Sequence, residues 1–74
     1  MDPIEIERLI REAIPGAEVR VRTDDGRHFT ASVVAGAFRG KSRVQQHQMV
    51  NAALKDIIGG DDLHALALQT SVPE

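Results

Sequence analysis

Apolar residues recur at Ile6, Leu9, Ile10, Ala13 and Ile14, the three-and-four spacing that gathers side chains along one side of a helix. Asp2 as N-cap, Pro3 at the first helical position and Glu5 in the first turn mark its start, and Pro15-Gly16 marks its end. The period then changes to two. In "AEVRVR", Ala17, Val19 and Val21 fall on one face and Glu18, Arg20 and Arg22 on the other; in "HFTASVV", Phe29, Ala31 and Val33 point inward while His28, Thr30 and Ser32 point out. Asp24-Asp25-Gly26 between the two runs predicts a hairpin. Helical spacing returns after Ser42, which forms a capping box with Gln45, and Val44, His47, Val50, Ala53, Leu54 and Ile57 mark the expected buried side of a long helix closed by Gly59-Gly60. "LHALALQT" alternates again, with His64, Leu66 and Leu68 on one face and Leu63, Ala65 and Ala67 on the other. A helical crossover from the second strand to this third one most simply makes them parallel. The expected fold is therefore α+β: an α-β-β-α-β sandwich with one three-stranded mixed sheet and both helices on one face, a single domain over residues 1–74.

Composition narrows what such a domain can do. Phe29 and Phe38 are the only aromatic residues, so aliphatic side chains must fill the core. There is no cysteine, which excludes a disulfide framework and any thiolate metal site made by this chain alone. No apolar run approaches the ~18 residues of a membrane span, and "MDPIEIERL" lacks a basic segment followed by an apolar one, so a cytoplasmic protein with no membrane association is expected. The net charge of −2 conceals an uneven distribution. Arg20, Arg22, Arg27, Arg39, Lys41 and Arg43 stand against Asp24 and Asp25 in the middle of the chain, whereas acidic residues gather in the first helix and at Asp56, Asp61 and Asp62.

"VVAGAFRGKSRVQQHQ" has the strand, glycine loop and helix order of a nucleotide-binding P-loop. The spacing fails, because the first glycine of that motif should stand at position 35, which is Ala35, and Gly36 leaves one residue too few before Gly40-Lys41-Ser42. Since the motif works by wrapping successive backbone N–H groups around phosphates, Phe38 would occupy part of the wrap. The stretch is better explained as a connection in which Gly36 and Gly40 allow a tight loop, Phe38 plugs the core and Ser42 caps the helix.

The remaining chemistry lies in three histidines, none at local metal-ligand spacing. His47, between Val44 and Val50 on the apolar side of its helix, is expected to pack. His28 opens the second strand and His64 the third. If those strands are adjacent and parallel, both rings lie at one end of the sheet, and strands ~4.8 Å apart could bring them to one metal or one partner surface.

At these residues the sequence resembles the BolA family, including its IbaG-type branch. Phe38, Gly40 and "VQQHQMVNAAL" match the family's Phe-x-Gly loop and following helix; "LHALALQT" with Pro73 matches its His-Ala-Leu strand and Thr/Pro tail; His28-Phe29 fits the position where many members carry His or Cys before the second strand. The resemblance covers nearly the whole chain, most tightly from His28 to Pro73. It implies a class II KH-like version of the fold just derived, and a non-enzymatic role with two alternatives.

In one, the chain partners a monothiol glutaredoxin, and a [2Fe-2S] cluster is held by a glutaredoxin cysteine, a glutathione thiol and a histidine of the BolA-like partner. His64 matches that ligand and His28 the loop ligand, while the chain alone holds no cluster and is a monomer or weak homodimer. The partner would supply the thiolates that this sequence lacks. In the other, the chain binds double-stranded DNA as a transcriptional regulator, through Arg39, Lys41, Arg43, Gln46 and Gln48. Gln46-His47-Gln48 stands where members often have Arg-His-Arg, which removes two phosphate-contacting cations. The Gly-x-x-Gly clamp of KH domains and an aromatic platform for single strands are both missing.

Overall fold

The computed structural model describes residues 2–55 and 66–74. Helix α1 (Pro3–Ala13) begins where the Asp2 carboxylate accepts the Ile4 N–H at 2.9 Å, and Gly16, at φ 83°, carries the chain out of it. Ile6 and Ile10 are fully buried and Ile14 nearly so; Leu9 is half-buried and Ala13, the last helical residue, is exposed. Glu5, Glu7, Arg8, Arg11 and Glu12 occupy the outer face, paired at helical spacings of three and four.

Strands β1 (Glu18–Thr23) and β2 (Phe29–Val34) form the antiparallel hairpin, in register from Glu18 opposite Val34 to Thr23 opposite Phe29. Ala17, Val19, Phe29, Ala31 and Val33 are buried, as alternation requires. The connection runs longer than the Asp-Asp-Gly turn of the sequence: His28 belongs to it, and β2 starts one residue later. Beyond β2 a short 3₁₀ turn (Gly36–Phe38) drives the Phe38 ring into the core, where it is 0% exposed. Gly40 follows at φ 77°, a left-handed conformation open to glycine at little cost.

Helix α2 (Arg43–Leu54) has both halves of its capping box: the Gln45 N–H donates to the Ser42 hydroxyl and the Ser42 N–H to the Gln45 side chain. Val50 and Leu54 are buried, and His47 and Ala53 are half-buried. Val44, expected on the same stripe, is 66% exposed. At 100° per residue it lies about 120° around the helix from Val50, beyond the face that meets the sheet. Strand β3 (Leu66–Ser71) pairs with β2 in parallel, Phe29 opposite Leu66 through to Val34 opposite Ser71, giving the order β1-β2-β3. Leu66, Leu68 and Thr70 face inward and Ala67, Gln69 and Ser71 outward. Ile57, Gly59, Gly60, Leu63, His64 and Ala65 lie outside the described residues.

The two helices and the inner sheet face share one apolar cluster in which Ile6, Ile10, Val19, Val33, Phe38, Val50 and Leu54 meet. Among the described residues no charged side chain is buried, and no helix is long and apolar enough to cross a membrane.

Candidate functional site

The β1–β2 connection is built by its own side chains. The Thr23 hydroxyl accepts the Gly26 N–H at 2.9 Å, and Gly26 adopts φ 73°. One oxygen of the Asp25 carboxylate, Oδ1, accepts the N–H groups of both Arg27 and His28 at 2.8 Å, the arrangement by which an Asx turn imitates backbone hydrogen bonding. The other oxygen, Oδ2, lies 2.8 Å from Nδ1 of the His28 ring. The side-chain hydrogen bond to His28, with the two backbone N–H donors behind it, holds the Asp25 carboxyl far below the ordinary carboxylate range. A depressed carboxyl favours folding above its ordinary value of 3.8, and that contribution is lost only as acid pulls the pH down through the folded-state value. The Asp25 carboxylate is therefore ionised at neutral pH.

An ionised carboxylate can only accept, so Nδ1 carries the hydrogen of this pair. Nε2 of His28 is then the ring atom left for another ligand, on a side chain 78% exposed. A neutral imidazole nitrogen of this kind is a donor for a borderline metal, oriented through its second nitrogen by a carboxylate. It is a single donor: among the described residues no three His, Asp or Glu side chains converge as a metal site. Arg22, Thr23, Asp24, Asp25, His28 and Thr30 line an open groove beside the loop. Because Phe29 pairs with Leu66 in the parallel ladder, His28 sits at the end of the sheet where β3 begins. Leu66 follows His64 by two residues in the sequence; the position of His64 is outside the described residues.

The second set of residues surrounds the β2–α2 connection. Arg39, Lys41, Arg43 and Gln48 are exposed. One nitrogen of the Arg39 guanidinium donates to the Pro73 carbonyl at 2.8 Å, fastening the chain after β3 to the loop. Gln46 has an internal task that its sequence position did not announce. Its amide nitrogen donates to the Lys41 carbonyl at 2.9 Å and reaches the Phe38 carbonyl at 3.5 Å, while its carbonyl oxygen accepts the Thr70 hydroxyl at 2.7 Å. Loop, helix and third strand meet on that one amide. His47 is half-buried beside Arg43, Leu68, Gln69 and Thr70, and its buried Nε2 has no hydrogen-bond partner among the described residues.

Gln46→Glu tests the tie. It keeps an acceptor for Thr70 but turns a carboxylate toward two carbonyls, and a cost of about 1–3 kcal/mol at neutral pH is expected in urea denaturation. Stability should recover in part as acid protonates the new carboxyl and restores a donor. Equal stability at both pH values would show the amide to be dispensable.

Sequence reasoning singled out His28 as a candidate ligand and assigned Asp25 only to the turn. The local signal was present, an acid three residues before a histidine across a glycine. The Gln46 tie carried no such signal, since Thr70 lies 24 residues away.

The BolA-like protein family profile matches residues 4–74. A bolA protein homologue from Coxiella burnetii has the same fold, with a TM-score of 0.81 and 30% identity, covering 99% of this chain and 92% of that one. BolA-like protein 1 of Homo sapiens is 34% identical over 96% of this chain and 59% of its own length, and BolA-like protein 3 of Bos taurus is 36% identical over 96% and 66%. The chain thus spans a little under two thirds of these curated relatives. With the profile running from the first turn of α1 through β3 and including the His28 loop, this chain belongs to the BolA-like family.

Proposed function

We propose that the protein is an adaptor that joins a monothiol glutaredoxin around a [2Fe-2S] cluster, its cargo in iron–sulfur delivery or iron homeostasis, with no turnover of its own. The observation that carries this reading is His28, which has Nδ1 engaged by Asp25, an open Nε2 and a place at the sheet end where β3 begins. His64 is the other ligand in this proposal, and the glutaredoxin cysteine and glutathione supply the soft donors that a chain without cysteine cannot. The exposed ring and open groove suit a ligand presented to a partner's metal rather than an enclosed resident site. Mixing the protein with cluster-loaded monothiol glutaredoxin is expected to give a heterodimer whose visible spectrum differs from that of the glutaredoxin alone. An unchanged spectrum, with no heterodimer on gel filtration, would falsify the proposal.

Double-stranded DNA is the second candidate partner, favoured by the exposed Lys41 and Arg43 at the start of α2, which among the described residues form no ion pair. With Gln46 held internally and Arg39 partly engaged, two or three phosphate contacts remain. The logarithm of affinity should then fall against the logarithm of salt concentration with a slope of only about −2 to −3. A mobility shift at low salt that weakens with Lys41→Ala is the expected result; no shift at low salt removes this partner.

A further inference from the structure

The hydrogen-bonding pattern of the β1–β2 connection gives Asp25 more to do than shape a turn. Its two oxygens are divided between tasks, Oδ1 taking the N–H groups of Arg27 and His28 and Oδ2 taking Nδ1 of the same histidine's ring. Backbone and side chain of His28 are thus gripped by one carboxylate, which fixes where the ring starts and which way it is turned. Among the described residues the ring has no other hydrogen bond, and it is 78% exposed. The two neutral tautomers of an imidazole place the lone pair on opposite nitrogens, and the hydrogen bond made by one nitrogen decides which is available at the other.

We propose that Asp25 is a positioning residue that keeps neutral His28 as its Nδ1–H tautomer, so that Nε2 presents its lone pair to the iron of the cluster brought by the partner. This rests on the adaptor role proposed above, but the tautomer itself is a property of the free chain. Iron is never in contact with Asp25. Its part is to aim the donor and raise its basicity, which elsewhere makes such carboxylates worth about 10–100-fold in metal affinity.

Asp25→Asn separates this role from turn formation. The asparagine side-chain oxygen can still accept the Arg27 and His28 N–H groups, keeping the Asx turn. Its NH₂ then faces Nδ1, which must become the acceptor, and the ring hydrogen moves to Nε2. Nitrogen-15 spectra of the full chain with labelled histidine, taken at about pH 8.5 and thus above the ordinary range of imidazole, read this directly. Wild type is expected to show a protonated Nδ1 and a pyridine-like Nε2 at His28, and Asp25→Asn the reverse. A wild-type Nε2–H tautomer, or one that Asp25→Asn leaves unchanged, overturns the proposal.

The second arm measures cluster retention in the glutaredoxin mixture. Asp25→Asn should lower it about 10–100-fold when position 28 is histidine. In the His28→Cys background it should have little effect, because a thiolate has no tautomer to set. An equal loss in both backgrounds would make Asp25 a loop-shaping residue and overturn the proposal. If wild type shows the expected tautomer but forms no cluster heterodimer, the adaptor role fails and Asp25 is refuted as a residue that positions an iron ligand, while its control of the ring stands.

Discussion

Replacing Phe38 by alanine is expected to bring the domain close to its unfolding limit. The ring is 0% exposed, among Ile6, Ile10, Val33, Val50 and Leu54, and removing a buried phenylalanine side chain costs about 3–5 kcal/mol through lost transfer energy and the cavity left behind. At roughly 0.05–0.15 kcal/mol per residue, a 74-residue domain has only about 4–11 kcal/mol to lose. A fall in Tm of at least about 12 °C should accompany the change, since domains of this size shift roughly 4–8 °C per kcal/mol. The damage would be concentrated at the β2–α2 connection. Phe38 donates its N–H to Ala35 and accepts that of Lys41, both at 3.1 Å, so the ring anchors the turn that leads into the Ser42 cap. Phe38→Leu, which keeps most of the volume, should cost much less. Thermal and urea unfolding of the two variants decides the matter, and an alanine variant within about 1 kcal/mol of wild type would contradict the plug assignment.

That connection illustrates how a sequence can be followed physically and where it gives out. Counting glycines in "VVAGAFRGKSRVQQHQ" removed the phosphate loop, and the cap, plug and left-handed Gly40 are local devices that a few neighbouring residues specify. Helix α1, the hairpin faces and the parallel third strand were legible because burial imposes a period of 3.6 or 2 on the chain. Val44 was misplaced because three-and-four spacing admits residues at the margin of a stripe, and it lies about 120° around α2 from Val50, off the face that meets the sheet. Gln46 was placed at a nucleic-acid surface because its partners are two loop carbonyls and a threonine on β3, a meeting that only the tertiary fold creates. Asp25 lies between these cases. Its contacts are local, yet an Asp-Gly pair in a hairpin is sufficiently explained by turn formation, which masks the ring contact.

Loss of either proposed histidine ligand should have the largest functional consequence. His64→Ala is expected to return the spectrum of the glutaredoxin mixture to that of glutaredoxin alone, because no cysteine in this chain can replace the missing nitrogen. His28→Ala should weaken retention and alter the spectrum through the loop side of the site, without unfolding a domain in which that ring is 78% exposed and outside the core. Circular dichroism of the free variants would separate ligand loss from misfolding. Two further readouts follow from the donor being neutral imidazole. Ligation competes with protonation, and a neutral imidazole holds iron less strongly than a thiolate, so the heterodimer should shed or rearrange its cluster in mild acid that the cluster of glutaredoxin alone withstands. Exchanging a thiolate for a neutral nitrogen also removes negative charge from the cluster, so its reduction potential in the heterodimer should lie above that in glutaredoxin alone. His28→Cys should move both in the opposite direction, lowering the potential and reducing the loss in mild acid. A potential and acid sensitivity identical in wild type, His28→Ala and His28→Cys would place iron ligation away from this loop altogether.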